Sequence, residues 1–245
     1  MFKGTSASAG IGIGKAVIVE EAELVITRNE VADAEAEIQR FKGALEKTIA
    51  ATQKMADDLA SRVGEKEAEI MQGHMMLLSD PMLTGEIENS VKNDKVNSEF
   101  AIENVCNMYA DMFASMGDEL MQQRATDMRD IKVRMQRTLM GLESVDVSLL
   151  PKGSILVAKD LTPSMTAGIN PENVSGIVTE LGGKTSHSAI LARALEIPAV
   201  VAVNGLMDAV KDGDLVVLDG STGEVLVNPE VSVEKEYEEK RTQFL

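Results

Sequence analysis

The sequence predicts an α/β domain split in two by an inserted antiparallel helical bundle, with a helix at its C-terminal end. Three observations carry the prediction. Apolar residues recur at steps of three and four from about 28 to 143. Short β-branched runs alternate with helical patterning over about 148–228. A lone strand-like segment, 13-IGKAVIVE-20, precedes the helical stretch; it is too small to fold apart and joins the later strands across the insertion. The expected organisation is therefore residues 1–22 with 148–230 as one discontinuous α/β domain, 23–147 as a helical domain, and 231–245 as a linker helix.

The opening strand follows glycines at 10, 12 and 14, which invite a phosphate-loop reading. That motif fails on its own spacing: Ala9 stands where its first glycine belongs and Ala16 where it needs Ser or Thr. The glycines read instead as a loop and strand entry. Next, Val31, Ala34, Ile38, Phe41, Leu45, Ile49, Met55, Leu59 and Val63 mark one long amphipathic helix that Gly64 ends. Glu65–Leu78 forms a second helix. Ser79-Asp80-Pro81 breaks the chain, because proline lacks a backbone donor and bars helical geometry before it. A shorter helix at about 82–92 follows. Ser98, with Ala101 and Ile102, opens another to about Met116. A last one over 119–141 carries Met128, Ile131, Met135, Leu139 and Leu142. Helices joined by such short turns pack antiparallel. Twelve of the fifteen methionines fall within 31–143, suiting a soft core or an adaptable interface.

Beyond the insertion, strands are expected at 154-SILVAK-159, 176-GIVTE-180, 199-AVVAV-203, 214-DLVVLD-219 and 224-EVLVN-228. Asp212-Gly213 and Ser221-Thr222-Gly223 bracket the last two as a hairpin. The closing run 234-EKEYEEKRTQFL-245 is charged and reads as a terminal helix.

Composition narrows the function. The 245 residues carry a formal charge of −16, the wrong sign for a nucleic-acid footprint. Residues 31–143 hold 13 basic against 21 acidic side chains, so half the excess lies there and no basic lobe is hidden. Aromatics are 3% with no Trp, which leaves little for stacking bases or sugars. No apolar run approaches the roughly 20 residues a bilayer span needs, and no signal-peptide pattern opens the chain. The single cysteine, Cys106, suits a reducing compartment and reads as a small buried hydrophobe. A cytoplasmic protein without nucleic-acid or membrane partners is expected.

One of only two histidines sits in 176-GIVTELGGKTSHSAILARALEIP-198. A strand ends near Glu180, Gly182-Gly183 turn the chain, and Ser186 caps a helix that begins at His187 and that Pro198 closes. Ile190, Leu191, Ala194 and Leu195 give this helix its apolar face. His187 thus lies in a first helical turn near the carboxyl end of a strand, where α/β sheets bind ligands. The positive end of the helix dipole disfavours a cation there, so the ring stays neutral and keeps a nucleophilic lone pair. An anion on that ring gains roughly 0.3–1 kcal/mol from the dipole, and helix N–H donors add to it. No second His or Cys stands at metal-ligand spacing. No G-x-S-x-G elbow supports acylation. A phosphorylatable histidine is the chemistry left, with simple helix capping as the plainer alternative.

The run GGKTSHSAILAR resembles the phosphohistidine signature of the phosphoenolpyruvate-utilising enzymes. DLTPSMTA (160–167) resembles the segment preceding it in one branch, Enzyme I of the bacterial phosphoenolpyruvate:sugar phosphotransferase system. The spacing from Gly4 to Ala16, with 73-GHMMLLSDPML-83 and 124-RATDMRDI-131, is similar to the N-terminal domain of that branch, so the resemblance covers essentially the whole chain.

It implies a swivelling phosphohistidine domain with an HPr-binding helical insertion. His187 would take a phosphoryl group that comes from phosphoenolpyruvate through a C-terminal domain this chain lacks, and pass it to a histidine of the carrier protein HPr. Thr166 would orient the ring, and Thr185, Ser186 and Ser188 would add donors. Lys184 and Arg193 offer positive charge or a helix-surface role. No cofactor is implied in this chain; magnesium belongs with the missing domain. HPr docking would fall on Glu65, Glu67, His74, Met76, Leu77, Asp80, Met82, Leu83, Arg124 and Arg129, with Asp127 and Asp130 neutralising some of the arginine charge. Pro81 and Lys66 depart from the family pattern within that segment. A monomer is expected, because dimerisation in the family runs through the absent half. The alternatives are the phosphohistidine domain of a pyruvate, phosphate dikinase or phosphoenolpyruvate synthase, or a non-catalytic docking module.

Overall fold

A computed structural model describes residues 1–142 and 146–244. The chain forms two compact units, Met1–Glu21 with Val145–Leu245, and Ala22–Ser144.

The first unit is built on one eight-stranded sheet. Its strands are β1 (Phe2–Lys3), β2 (Thr5–Ser8), β3 (Ile11–Ile18), β4 (Ser154–Ala158), β5 (Val174–Thr179), β6 (Ala199–Val201), β7 (Leu215–Asp219) and β8 (Glu224–Val227). Their order is β1-β8-β7-β3-β4-β5-β6-β2. The strand read from 13–20 is the hub: β3 pairs parallel with β4 and antiparallel with β7. β4, β5 and β6 continue in parallel, and β7 and β8 form the expected hairpin, with Asp219 opposite Glu224. β1 and β2 are the outermost strands, yet only Gly4 separates them, so the sheet curls until its two edges meet.

Alternation along the strands divides the unit's core. On β4, Leu156 and Ala158 face a cluster with Ala7, Ile177, Ala189, Ala192 and Val201. Ile155 and Val157 face another with Val178, Val200, Leu206, Val216 and Leu218. Both faces are buried, which is why β4 reads as a continuous apolar run. Glycine at 14 has a packing reason: a Cβ there would lie 2.0 Å from the Gly153 carbonyl oxygen.

The second unit holds α1 (Ala34–Arg62), α2 (Glu65–Leu78), α3 (Pro81–Asp94), α4 (Ser98–Ser115) and α5 (Glu119–Met140). They bury Phe41, Leu78, Ile87, Ile102, Met128 and Ile131 in one core. Asp33, Asp80 and Asp118 cap α1, α3 and α5 by accepting from Ala36, Met82 and Met121 N–H groups. Ser98 is the first helical residue of α4, but the cap position belongs to Asn97. The Asn97 amide is engaged elsewhere, accepting from Asn29 N–H and donating to the Thr27 carbonyl. Cys106 is fully buried, and burial pushes its thiol up to about 12.

Three short helices of the first unit, α6 (Pro163–Ala167), α7 (His187–Ala194) and α8 (Leu206–Ala209), connect strands. The expected linker helix is α9 (Val231–Phe244), and it packs on the sheet as part of this unit. Tyr237 is buried against Ile11 and Val217. Its hydroxyl donates to Glu224 at 2.8 Å. Burial, then the Glu224 carboxylate, push that phenol up to about 12.

Candidate active site

The loop between β5 and α7 places His187. Leu181 is held by its N–H to the Lys159 carbonyl, and its own carbonyl accepts from Thr179 Oγ1 at 2.6 Å and from Ala202 N–H. Gly182 then turns the chain at φ +99°, in the region that favours glycine. Ser186 ends the loop as the N-cap of α7. Its hydroxyl donates to the Gly183 carbonyl at 2.7 Å and accepts from Ala189 N–H at 3.3 Å. With the Ser186 proton committed to Gly183, the 3.2 Å contact between the Ser186 and Ser188 hydroxyls is donated by Ser188.

α6 reaches the same place from the other side. Thr162 caps it, accepting from Met165 N–H. Thr166, fully buried, brings its Oγ1 within 3.0 Å of His187 Nδ1. That hydroxyl also lies 2.8 Å from the Pro163 carbonyl, which can only accept. A hydroxyl has one proton, so Thr166 donates to Pro163 and accepts from His187 Nδ1–H. The tautomer follows: the proton is on Nδ1, and the ring's lone pair is on Nε2.

The site residues predicted in this unit fall together. His187 and Ser186 are half-buried, Thr166 and Ser188 are buried, and Thr185 and Lys184 are exposed at the loop. Arg193 makes neither of its expected uses the whole story. Its two terminal nitrogens donate to backbone, Nη1 to the Ala7 carbonyl at 2.8 Å and Nη2 to the Lys184 carbonyl at 3.0 Å. Among the described residues no three His, Cys, Asp or Glu side chains gather to hold a metal ion.

The residues predicted for partner docking divide. Glu65, Asp80 and Arg129 are exposed, and Glu67 and Arg124 half-buried. Met76 and Met82 are 66% and 68% exposed, large for apolar side chains. His74, Leu77 and Leu83 require correction. Leu77 and Leu83 belong to the core of the helical unit. His74 is fully buried, with Nε2 3.0 Å from Asp127 Oδ1. Asp127 therefore serves His74 and Gln123, not the arginines assigned to it. The signal was available: Ala68, Met71, His74 and Leu78 step by three and four, which puts the histidine on the inward stripe of α2.

Sequence reasoning also missed an apolar stripe on α4. Met108, Met112 and Met116 recur every four residues and are 55%, 44% and 54% exposed. Burial, then Glu86 of α3, raise the phenol of Tyr109 beside them, and α3 packs against α4.

Comparison with known proteins gives two family matches: PEP-utilising enzyme, N-terminal, over residues 3–124, and PEP-utilising enzyme, mobile domain, over 150–223. The phosphoenolpyruvate-protein phosphotransferase of Bacillus subtilis is 41% identical over 244 residues, covering 100% of this chain and 43% of that protein. That of Staphylococcus carnosus is 41% identical over 243 residues, covering 99% and 42%. The chain thus spans less than half the length of these relatives. A solution structure of an Enzyme I protein matches with TM-score 0.88 and 39% identity, covering 100% of this chain and 99% of that one. The N-terminal domain of Enzyme 1 - Nitrogen matches with TM-score 0.63 and 26% identity, covering 99% of this chain and 100% of that one.

Proposed function

We propose, from the premise that this chain belongs to the PEP-utilising enzymes and carries their N-terminal and mobile domains, that it relays a phosphoryl group through Nε2 of His187. The observation that carries the reading is the hydroxyl relay from His187 Nδ1–H through Thr166 to the Pro163 carbonyl, which leaves the lone pair on Nε2. In the direction tested below, Nε2 attacks the phosphorus of a phosphohistidine on HPr in line, and the nitrogen of the carrier leaves with the bonding pair. The acceptor ring becomes cationic while Nδ1 keeps its proton, so its bond to Thr166 gains charge assistance. Negative charge on the three phosphoryl oxygens meets the positive end of α7, whose first turn Ser186 caps. The reverse step delivers the group to HPr.

In full-length proteins of this kind, phosphoenolpyruvate would load His187 through a further domain, and magnesium would belong there. HPr would dock on the helical unit over Met76 and Met82, joined by Met108, Met112 and Met116 of α4, with Glu65, Glu67 and Asp80 meeting basic groups and Arg124 and Arg129 at the margin. Exposed apolar bulk with acidic side chains on the same elements suits a basic carrier. The setting would be the cytoplasm; among the described residues no helix is long and apolar enough to cross a membrane.

Incubation with radiolabelled phospho-HPr tests this. Acid-labile, base-stable label on the chain, absent from His187→Ala while HPr binding persists, is the expected result. Binding of HPr without label would leave a docking module only, and label in His187→Ala would move the chemistry elsewhere.

A further inference from the structure

We infer that Arg193 is a positioning residue for the phosphoryl transfer proposed above: its planar guanidinium clamps the loop that presents His187, and its charge is not what the reaction uses. The inference rests on that reading of His187. The loop has a built-in weakness, since Gly182 and Gly183 are the residues with most backbone freedom to lose. Leu181 is anchored by three hydrogen bonds and Gly183 by Ser186 from within the loop. Lys184 is held from outside by Arg193, which lies six residues beyond His187 on α7.

The same guanidinium reaches the Ala7 carbonyl on edge strand β2. One rigid fork therefore joins α7, β2 and the loop, at 2.8 and 3.0 Å. Ala7 is buried, which makes that end a fixed post. The ring of His187 is then set from two sides: Thr166 fixes its rotation at Nδ1, and Arg193 fixes the backbone that leads into it. Both terminal nitrogens donate to carbonyl oxygens, so backbone sets the orientation of the fork. A lysine at 193 keeps the charge but has a single point donor and cannot span both carbonyls in fixed geometry.

The test compares Arg193→Lys and Arg193→Gln with the unaltered chain in single-turnover transfer from phospho-HPr. A displaced reacting group costs up to about 10²-fold; with Arg193 exposed, we expect both variants to slow by about tenfold or more, Lys as much as Gln. The half-saturating concentration of phospho-HPr should change less than about twofold, since docking lies on the helical unit. Amide hydrogen exchange should speed up over 183–186 while β4 and β5 keep their protection. A Lys variant at the unaltered rate would mean that charge suffices and overturn the clamp. Loss of protection in β4 and β5 as well would make Arg193 a general structural tie and also overturn it. If the unaltered chain takes no label at all, the proposed function falls, and the exchange pattern alone then decides whether Arg193 holds the loop.

Discussion

Replacing Thr166 by valine removes one hydroxyl, at nearly constant volume, from a residue with no solvent exposure. Two hydrogen bonds go with it, the one accepted from His187 Nδ1–H and the one given to the Pro163 carbonyl. In the ground state a neutral bond of this kind is worth a net 0.5–1.5 kcal/mol, so its loss shifts the tautomer ratio about 2- to 13-fold toward the form with the proton on Nε2. In the transition state the ring is cationic, and the bond to Thr166 is worth about 1.5–3 kcal/mol. Only the excess of the transition-state bond over the ground-state one, about 1–1.5 kcal/mol, enters the barrier, so the rate of transfer from phospho-HPr should fall by about 5- to 13-fold. Thr166→Ser keeps the hydroxyl and should recover most of the rate. Rapid-quench labelling reads the rate, and nitrogen-15 shifts of the imidazole read the tautomer. A valine variant with unchanged rate, or with the proton still held on Nδ1, would refute the relay.

Three further outcomes are expected. Asp127→Ala strands the Nε2–H of fully buried His74 and should cost about 1–3 kcal/mol in urea denaturation, whereas a surface ion pair would cost little. Alanine at Met76 or Met82 should leave stability within about 0.5 kcal/mol, because both side chains already face solvent; each should weaken HPr binding roughly 5- to 30-fold in calorimetry, from about 1–2 kcal/mol of lost burial. Tyr237 holds its proton more tightly folded than unfolded, with its phenol near 12 against an ordinary value of about 10. Its contribution to the docking of α9 is therefore complete below pH ~10 and is lost as pH rises through about 12; tyrosinate absorbance should show a late step that Tyr237→Phe removes.

Long periodic elements were legible in the sequence, and short or long-range ones were not. Steps of three and four gave α1 to α5, and β-branched runs gave β4 to β8, each within two or three residues. β1 and β2 escaped because two and four residues cannot show alternation; they exist because the curled sheet offers each an edge, β8 for one and β6 for the other. α6 and α8, five and four residues long, are likewise below the length at which a period shows. The Ser186 cap was readable because its partner, Ala189, is three residues away. The Asn97 cap position was missed because that amide is spent on Thr27 and Asn29, about seventy residues distant.

The two histidines show what separates a core group from the one proposed to react. Each has a ring nitrogen 3.0 Å from an oxygen, so hydrogen bonding alone does not distinguish them. His74 faces a carboxylate, with Gln123 donating to the same oxygen, inside a helical core that leaves the ring no exposed surface. Its bond closes a buried polar pair and holds α2 to α5. His187 faces a neutral hydroxyl whose proton is already given to a carbonyl, and its ring is only half-buried. That hydroxyl fixes the Nδ1–H tautomer without supplying a counter-charge, so the positive charge formed in the proposed transfer would be balanced by the incoming phosphoryl group. A carboxylate in place of Thr166 would instead favour the cationic ring and so lower the fraction that carries the lone pair transfer needs. Thr166→Asp should therefore abolish labelling more completely than Thr166→Val, although it retains an acceptor for Nδ1–H; if the aspartate variant takes label faster than the valine variant, the neutrality of the relay is not what prepares the ring.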